Sequence, residues 1–365
     1  MPRTLLLTPD FPPSPGGVAR YLEVVAYALK DEVTVFASPE PSVKAVDLEA
    51  SYKIVRTPLL YKNIWPRWLC SVVLLCRQAK AYDRVVVSHL LPFGVAALVA
   101  RAFTKKPYVL IVHGLDISLA LRSGWKQKLA RIVVRNADLV VANSIALKDE
   151  LQSIFSVDRI AYVHPSFSPR VLTSSRPLSH HGIRLLTVAR LVPRKGHLRV
   201  LEALARLRRE GRAPADLSYM IVGDGVMKEE IERRVVELGL TDCVHLRTDV
   251  SDEELPNFYQ SSDLFVMPTA FTKLDREGFG IVYLEAAAFG LPSIATHHAG
   301  VDEAVLDGST GLLIPDGDIG ALAKAIQTLS TDAALRQKLG AAGKMRVQQE
   351  FSRERQVEKI QRLLT

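Results

Sequence analysis

Two acids stand eight positions apart in "REGFGIVYLEAAAFGLPSIAT", residues 276–296: Glu277, ahead of a glycine-punctuated loop, and Glu285, inside an apolar run. Ile281, Val282, Leu284, Ala286 and Ala287 surround Glu285 in the sequence. A carboxylate in such company is costly to desolvate unless something hydrogen-bonds it. Gly278 and Gly280 interrupt the helical pattern, so Glu277 falls in a loop and a helix starts near Ile281. A glycine-rich entry to a helix leaves backbone N–H groups at the positive end of the helix dipole, which is a phosphate site. Glu285 lies about one turn inside. Each of its oxygens can accept from one hydroxyl of a vicinal diol, the recognition a ribose invites. The plainer alternative is a capping acid with a partly buried neighbour.

Other residues supply charge and close approach. In "VARLVPRKGHLRVLEAL", residues 188–204, Arg190 and Lys195 follow a strand and precede a helix. Arg binds a diphosphate bidentately and Lys acts as a point charge, so the pair could neutralise one; otherwise it is a solvated basic loop. Gly16 and Gly17 in "PDFPPSPGGVARYLEVVAYAL" and Gly223 in "IVGDG" sit in strand-to-helix turns where a ligand could approach the backbone. Neither GxGxxG nor a GK[ST] motif accompanies them. His113, in "YVLIVHGLD", directly follows an apolar strand and is a polar contact for substrate. The remaining histidines, His89 among them, are read as lacking that placement. No HExxH spacing occurs, and Asp318 of the D-x-D pair Asp316/Asp318 reads as a helix N-cap shaped by Pro315 and Gly317. No metal site is expected.

These residues need elements to hold them. Strand-like runs at Thr4–Thr8, Glu32–Ala37, Lys53–Arg56, Arg84–Ser88, Tyr108–Val112, Leu139–Ala142 and Ile160–Val163 alternate with helical segments such as Val18–Lys30 and Pro92–Phe103. "SFSPRVLTSSRPLSHHG", residues 166–182, reads as a linker. Alternation then resumes: Arg184–Ala189, a helix at 197–210, Leu217–Val222, a helix at 226–238, Val244–Arg247, Leu264–Met267, Ser293–Ala295 and Gly311–Ile314. The pattern predicts an α/β chain of two doubly wound, Rossmann-like domains, 1–172 and 173–350, facing across a cleft, with ligands outside the carboxyl ends of the strands. The last helix, about 351–365, is a candidate to cross back onto the first domain.

With 48% hydrophobic residues in 365, the chain is globular, and no run approaches the ~18 apolar residues of a membrane span. Leu5 to Leu7 is too short for a signal peptide's apolar core. Cys70, Cys76 and Cys243 form no CxxC pair, which fits a reducing cytosol. The net charge of +8 is uneven: residues 1–172 hold 22 Lys/Arg against 13 Asp/Glu, and the rest is near balance. Such a field calls for anionic lipid, nucleic acid or a phosphorylated substrate. Residues 117–137 carry Arg122, Lys126, Lys128, Arg131 and Arg135 with no acid, beside Trp125, Leu129, Ile132 and Val133. Residues 53–84 add seven basic residues against one acid, with Trp65 and Trp68. A basic amphipathic helix with nearby tryptophans reads as a membrane-surface element; the plainer reading makes 59–79 an ordinary core helix with solvated charges. No nucleic-acid motif is present. A cytoplasmic location, peripheral on the membrane face, is expected.

In this order the motifs resemble one family, the retaining glycosyltransferases of the GT-B fold, family-four type. Its E-x7-E hallmark is matched by Glu277 and Glu285 and its Arg…Lys pair by "ARLVPRKG", while "PPSPGG", "VHGLD", "VGDG", "SDEELPNFYQSSDLFVMPT" and "GVDEAVLDGSTGLLIPDGD" follow the family's order from about residue 5 to 350. The resemblance implies a metal-independent hexosyltransferase whose donor is a nucleotide sugar. Glu277 and the backbone of Phe279, Gly280, Ile281 and Val282 would face the donor sugar, Glu285 the ribose, Arg190 and Lys195 the leaving diphosphate. His113 would orient the sugar, and the leaving phosphate would take the acceptor's proton. "EGFGIVYLEA" is most similar to members with GDP-mannose donors and lipid-linked or glycan acceptors. The rivals are a UDP-sugar enzyme with a soluble acceptor, a dinucleotide-dependent oxidoreductase on the same kind of sheet, and a non-catalytic sugar-nucleotide binder.

Overall fold

The computed structural model describes residues 2–14, 16–40, 44–167, 182–214, 216–271 and 278–364. The chain divides into two compact units, Met1–Ser166 with Arg353–Thr365, and Phe167–Ser352. Most of the linker expected at 166–182 lies outside the described residues, as does Glu277.

Unit 1 runs β1 (Thr4–Thr8), α1 (Gly17–Leu29), β2 (Val33–Ala37), α2 (Lys44–Glu49), β3 (Lys53–Arg56), α3 (Leu69–Arg77), β4 (Arg84–Ser88), α4 (Phe93–Thr104), β5 (Tyr108–Val112), α5 (Leu115–Leu121), α6 (Gly124–Asn136), β6 (Leu139–Ala142), α7 (Ile145–Phe155) and β7 (Ile160–Tyr162). Unit 2 runs β8 (Ile183–Val188), a 3-10 turn at Pro193–Lys195, α8 (His197–Arg209), β9 (Leu217–Val222), α9 (Lys228–Glu237), β10 (Val244–Arg247), α10 (Leu255–Gln260), β11 (Leu264–Met267), α11 (Ile281–Ala288), β12 (Ser293–Thr296), α12 (Ala299–Ala304), β13 (Gly311–Ile314), α13 (Ile319–Thr331) and α14 (Ala333–Glu350). The final helix, α15 (Arg353–Leu364), belongs to unit 1.

Every strand pairing is parallel among the named strands, in the orders β3-β2-β1-β4-β5-β6-β7 and β10-β9-β8-β11-β12-β13. Strands buried on both faces read as continuous apolar runs, and the two-residue period divides each run between two cores. Leu5 and Leu7 face the layer of α3, α4 and α6, whereas Leu6 faces α1 and α15. In unit 2, Leu264 and Val266 point into the α8–α13 side and Phe265 and Met267 into the α11 side. Helix α15 packs Ile360 and Leu364 among Leu22, Val25 and Leu29, and Gln361 Nε2 donates to Ala28 O at 2.9 Å.

Each sheet reverses strand order once, beside its first strand: between β1 and β4 in unit 1, and between β8 and β11 in unit 2. In open parallel sheets the ligand crevice opens outside the carboxyl ends of the strands at such a reversal. Those two points position everything below.

Candidate active site

In unit 2 the reversal is flanked by the loops after β8 and β11. Arg190 is exposed at the end of the first, and Lys195 ends the 3-10 turn, 7% exposed. Gly196 has φ 77°, and a Cβ there would come within 2.2 Å of Pro268 O, so only glycine lets the Lys195 loop lie against the end of β11. Ala270 N donates to Arg194 O at 2.6 Å and completes that seam. The β9 loop is sewn on as well: Leu191 N donates to Asp224 O at 2.8 Å, and a Cβ on Gly223, φ 143°, would meet Ala189 O at 2.0 Å. His197, just behind Lys195, is buried, and burial lowers its imidazole to about 4; Nε2 lies 3.4 Å from Arg190 O.

Helix α11 starts at Ile281 as its glycines require, with Gly280 left-handed at the N-cap, φ 83°. Ile281 and Val282 are half-buried, while Phe279 is closed into the core against Phe351, ring centroids 5.6 Å apart. Any contact of Phe279 with a ligand is therefore through its backbone. Glu285 is 3% exposed, and Oε2 accepts from Tyr259 Oη at 2.7 Å. Tyr259 is itself stacked on Phe289, interplanar angle 2° and centroids 5.3 Å apart. Tyr259 is a partner that residue spacing did not reveal, though it stands in the recognised stretch "SDEELPNFYQSSDLFVMPT". Asp318 Oδ1 accepts from Ala321 N at 2.8 Å as the N-cap of α13, and Asp316 pairs with Arg199 at 2.5 Å. Both acids of the D-x-D are thus engaged in the fold. Among the described residues no group of three or more His, Cys, Asp or Glu is placed to hold a metal ion.

In unit 1, Gly16 caps α1 at φ 120° and Gly17 begins it; both are exposed. His113 follows β5, its N–H donating to Asp116 Oδ2 at 3.0 Å. Its Nε2 is sealed from solvent with no hydrogen-bond partner, and the Tyr21 ring meets it edge-on at 5.4 Å. Burial, then the neighbouring His89, lowers the His113 imidazole to about 3. His89 corrects the sequence reading: it follows β4 directly, as His113 follows β5, and Nε2 lies 3.2 Å from Asp10 Oδ2. Asp10, His89 and Asp116 went unnoticed because each is a lone polar residue until the parallel register of β1, β4 and β5 sets them side by side.

Two further expectations are refined. Residues 59–68 are turns, and only Leu69–Arg77 is helical, burying Val72 and Leu75. On α6, Lys128, Arg131 and Arg135 are exposed together with Trp125 and Ile132, but Val133 is core, not surface. Trp65 is 89% exposed.

Two parallel doubly wound units of seven and six strands define a GT-B chain. Residues 15–171 match the description Glycosyltransferase Family 4 and residues 175–346 match Glycosyl transferases group 1. A GDP-mannose-dependent alpha-(1-6)-phosphatidylinositol monomannoside mannosyltransferase of Mycolicibacterium smegmatis is 31% identical over 357 residues, spanning 93% of this chain and 92% of its own. A D-inositol 3-phosphate glycosyltransferase of Arthrobacter is 30% identical over 368 residues, spanning 91% and 86%. Sucrose-phosphate synthase from Thermosynechococcus elongatus shares the fold, with a TM-score of 0.84 at 23% identity over 99% of this chain and 98% of that one. The chain belongs to the group 1, family 4 glycosyltransferases.

Proposed function

We propose that this glycosyltransferase moves an α-mannosyl group, with retention, from GDP-mannose to a lipid-linked mannoside or related glycan acceptor. The observation that carries the donor and acceptor is the match over nearly the whole of both chains to the GDP-mannose-dependent relative. Unit 2, residues 173–350 in the sequence reading, takes the nucleotide sugar and unit 1 the acceptor. Glu285, held by Tyr259, accepts from the ribose hydroxyls. Arg190 and Lys195, on a loop locked by Gly196, stabilise the charge that grows on the leaving diphosphate. The backbone from Phe279 to Val282 lines the phosphate and sugar, together with Gly223, and Gly16 and Gly17 admit the donor to the unit 1 backbone. Glu277 and the neutral His113 hydrogen-bond the transferred sugar. No step calls for a metal.

The enzyme works at an anionic membrane surface on the cytoplasmic side. No described helix is long and apolar enough to cross a bilayer. One helical layer of unit 1, α3, α4 and α6, carries exposed Ile64 and Trp65 before α3, Phe103 on α4, and Trp125 and Ile132 on α6, with Lys62, Arg67, Lys128, Arg131 and Arg135 exposed nearby in the chain. Apolar side chains among basic ones suit the headgroup boundary. Titration calorimetry tests the nucleotide site: GDP should bind, and Glu285→Ala should weaken it strongly. Binding of NAD with neither GDP nor UDP taken up would refute the reading in favour of the oxidoreductase.

A further inference from the structure

The edge strand of unit 1 sends one side chain across its neighbour to the loop after β1. In register, Thr8 of β1 stands beside Ala37 of β2, and Ala37 beside Arg56 of β3. Two strand spacings put Arg56 roughly 10 Å from Thr8 across the sheet, a gap for a long side chain. Arg56 Nη2 donates to Pro12 O and, at 2.7 Å, to Asp47 Oδ1 on α2. Nε donates to Asp47 Oδ2 at 3.1 Å, and Nη1 to Ser38 O at 3.4 Å. The guanidinium also lies over the Phe11 ring, 5.8 Å from its centroid. One planar group thus ties together α2, the turn after β2 and the loop after β1. The setting is interior: Arg56 exposes 11% of its side chain and Asp47 20%, and both Phe11 and Pro12 are buried. The carbonyl of a buried loop residue needs a donor from outside the ladders, and Arg56 supplies it to Pro12. Ser14 closes the same loop, its N–H donating to Phe11 O at 3.0 Å and its Oγ to Glu40 Oε1 at 3.0 Å. Gly16, the cap of α1, follows two residues on. The transfer reading gives Arg56 no task.

We propose that Arg56 is a positioning residue for the donor: it fixes the loop after β1 and thereby the place of the Gly16–Gly17 backbone. The proposal rests on the part that the transfer reading gives those glycines. A glycine backbone serves a ligand only where it is held, because glycine has the widest conformational freedom of any residue and no side chain to anchor it. Both glycines are exposed, so the anchor lies in the residues before them. Phe11 and Pro12 set the loop into the interior, and Arg56 holds both, Phe11 by the face of its guanidinium and Pro12 by an N–H at its edge. Lysine has the reach and the charge. It has neither the plane that stacks on Phe11 nor the fork that serves Asp47 and Pro12 together. Arg56 acts through the loop and touches no reacting atom.

The test uses full-length protein, GDP-mannose and micellar phosphatidylinositol monomannoside as the acceptor probe. Arg56→Lys should lower kcat/KM for GDP-mannose roughly tenfold, as loss of one charge-assisted hydrogen bond implies, and leave the Kd for GDP unchanged. Asp47→Asn breaks the ion pair but leaves Arg56 its hold on Pro12 and Phe11, so its kcat/KM should stay close to wild type. Hydrogen exchange at the Ser14 amide, which donates to Phe11 O, reads the loop itself. It should be slow in wild type and Asp47→Asn and roughly tenfold faster in Arg56→Lys. Wild-type kcat/KM in Arg56→Lys, an equal loss in Asp47→Asn, or a parallel loss of GDP affinity overturns the proposal. Should the Arg56 variant fail to fold, wild type decides: a Ser14 amide that exchanges as fast as in an unstructured chain overturns it, and a protected one upholds it. Wild type that turns over no GDP-mannose is a different failure: the transfer reading falls, while exchange at Ser14 still tells whether Arg56 holds the loop.

Discussion

The hydroxyl of Tyr259 donates to Glu285 Oε2 at 2.7 Å and so meets a carboxylate that is almost wholly buried. Hydrogen bonds to charged groups contribute about 1.5–3 kcal/mol. Tyr259→Phe keeps the stack on Phe289 and removes only the hydroxyl, so it should weaken GDP binding roughly tenfold and lower stability by about 1–3 kcal/mol, because a buried charge loses a donor; calorimetry and urea unfolding read the two effects. His197 belongs to this scale as well. Burial holds its imidazole near 4, below the unfolded value of 6.5. The unfolded chain therefore takes up the proton first as pH falls. The stability this group contributes is complete above 6.5 and is lost as pH drops towards 4, on the order of 3 kcal/mol in all. Urea unfolding at pH 7.5 and 4.5 should show wild type losing more stability than His197→Gln between the two conditions.

Elements translate those residues into a site. The loop bearing Arg190 and Lys195 is fixed by Gly196, whose Cβ position is occupied by the Pro268 carbonyl at 2.2 Å. Gly196→Ala must move the loop or the end of β11, at a cost of about 1–3 kcal/mol for the strained backbone alone. Both Tm and kcat/KM should fall, whereas alanine at Gly211, φ 64° with open space around it, should cost only the backbone strain and leave kcat/KM intact. This scale also shows what was legible beforehand. Apolar runs such as "TLLLT", "YVLIV" and "LFVM" are strands at their expected positions, because a strand buried on both faces writes itself as a continuous apolar run. The helix start at Ile281 and the cap at Asp318 were readable because glycine and aspartate act locally. Tyr259 and Glu285 stand 26 residues apart, and Asp10 and His89 are brought together only by strand pairing, so neither pair leaves a local signal.

At the scale of the molecule, charge and apolar exposure collect on unit 1. If its α3–α4–α6 layer meets lipid, binding to phosphatidylglycerol vesicles should fall steeply with salt, since each basic residue near an anionic surface contributes ~1 kcal/mol within a Debye length. Replacing Lys128, Arg131 and Arg135 by Gln, and Trp65 by Ser, should reduce co-sedimentation at low salt. Wild type and variant pelleting equally little would remove the membrane from the account. The return of α15 to unit 1, a candidate already in the sequence, adds a long-range helix to that unit's core against α1. The central claim is mannosyl transfer with retention, and the product tests it most directly. Incubated with GDP-mannose and phosphatidylinositol monomannoside in EDTA, the enzyme should release GDP and yield one added mannose whose anomeric carbon is α by NMR. A β-linked product, transfer only from a UDP-sugar, or turnover that appears only when a divalent metal is restored would contradict the account.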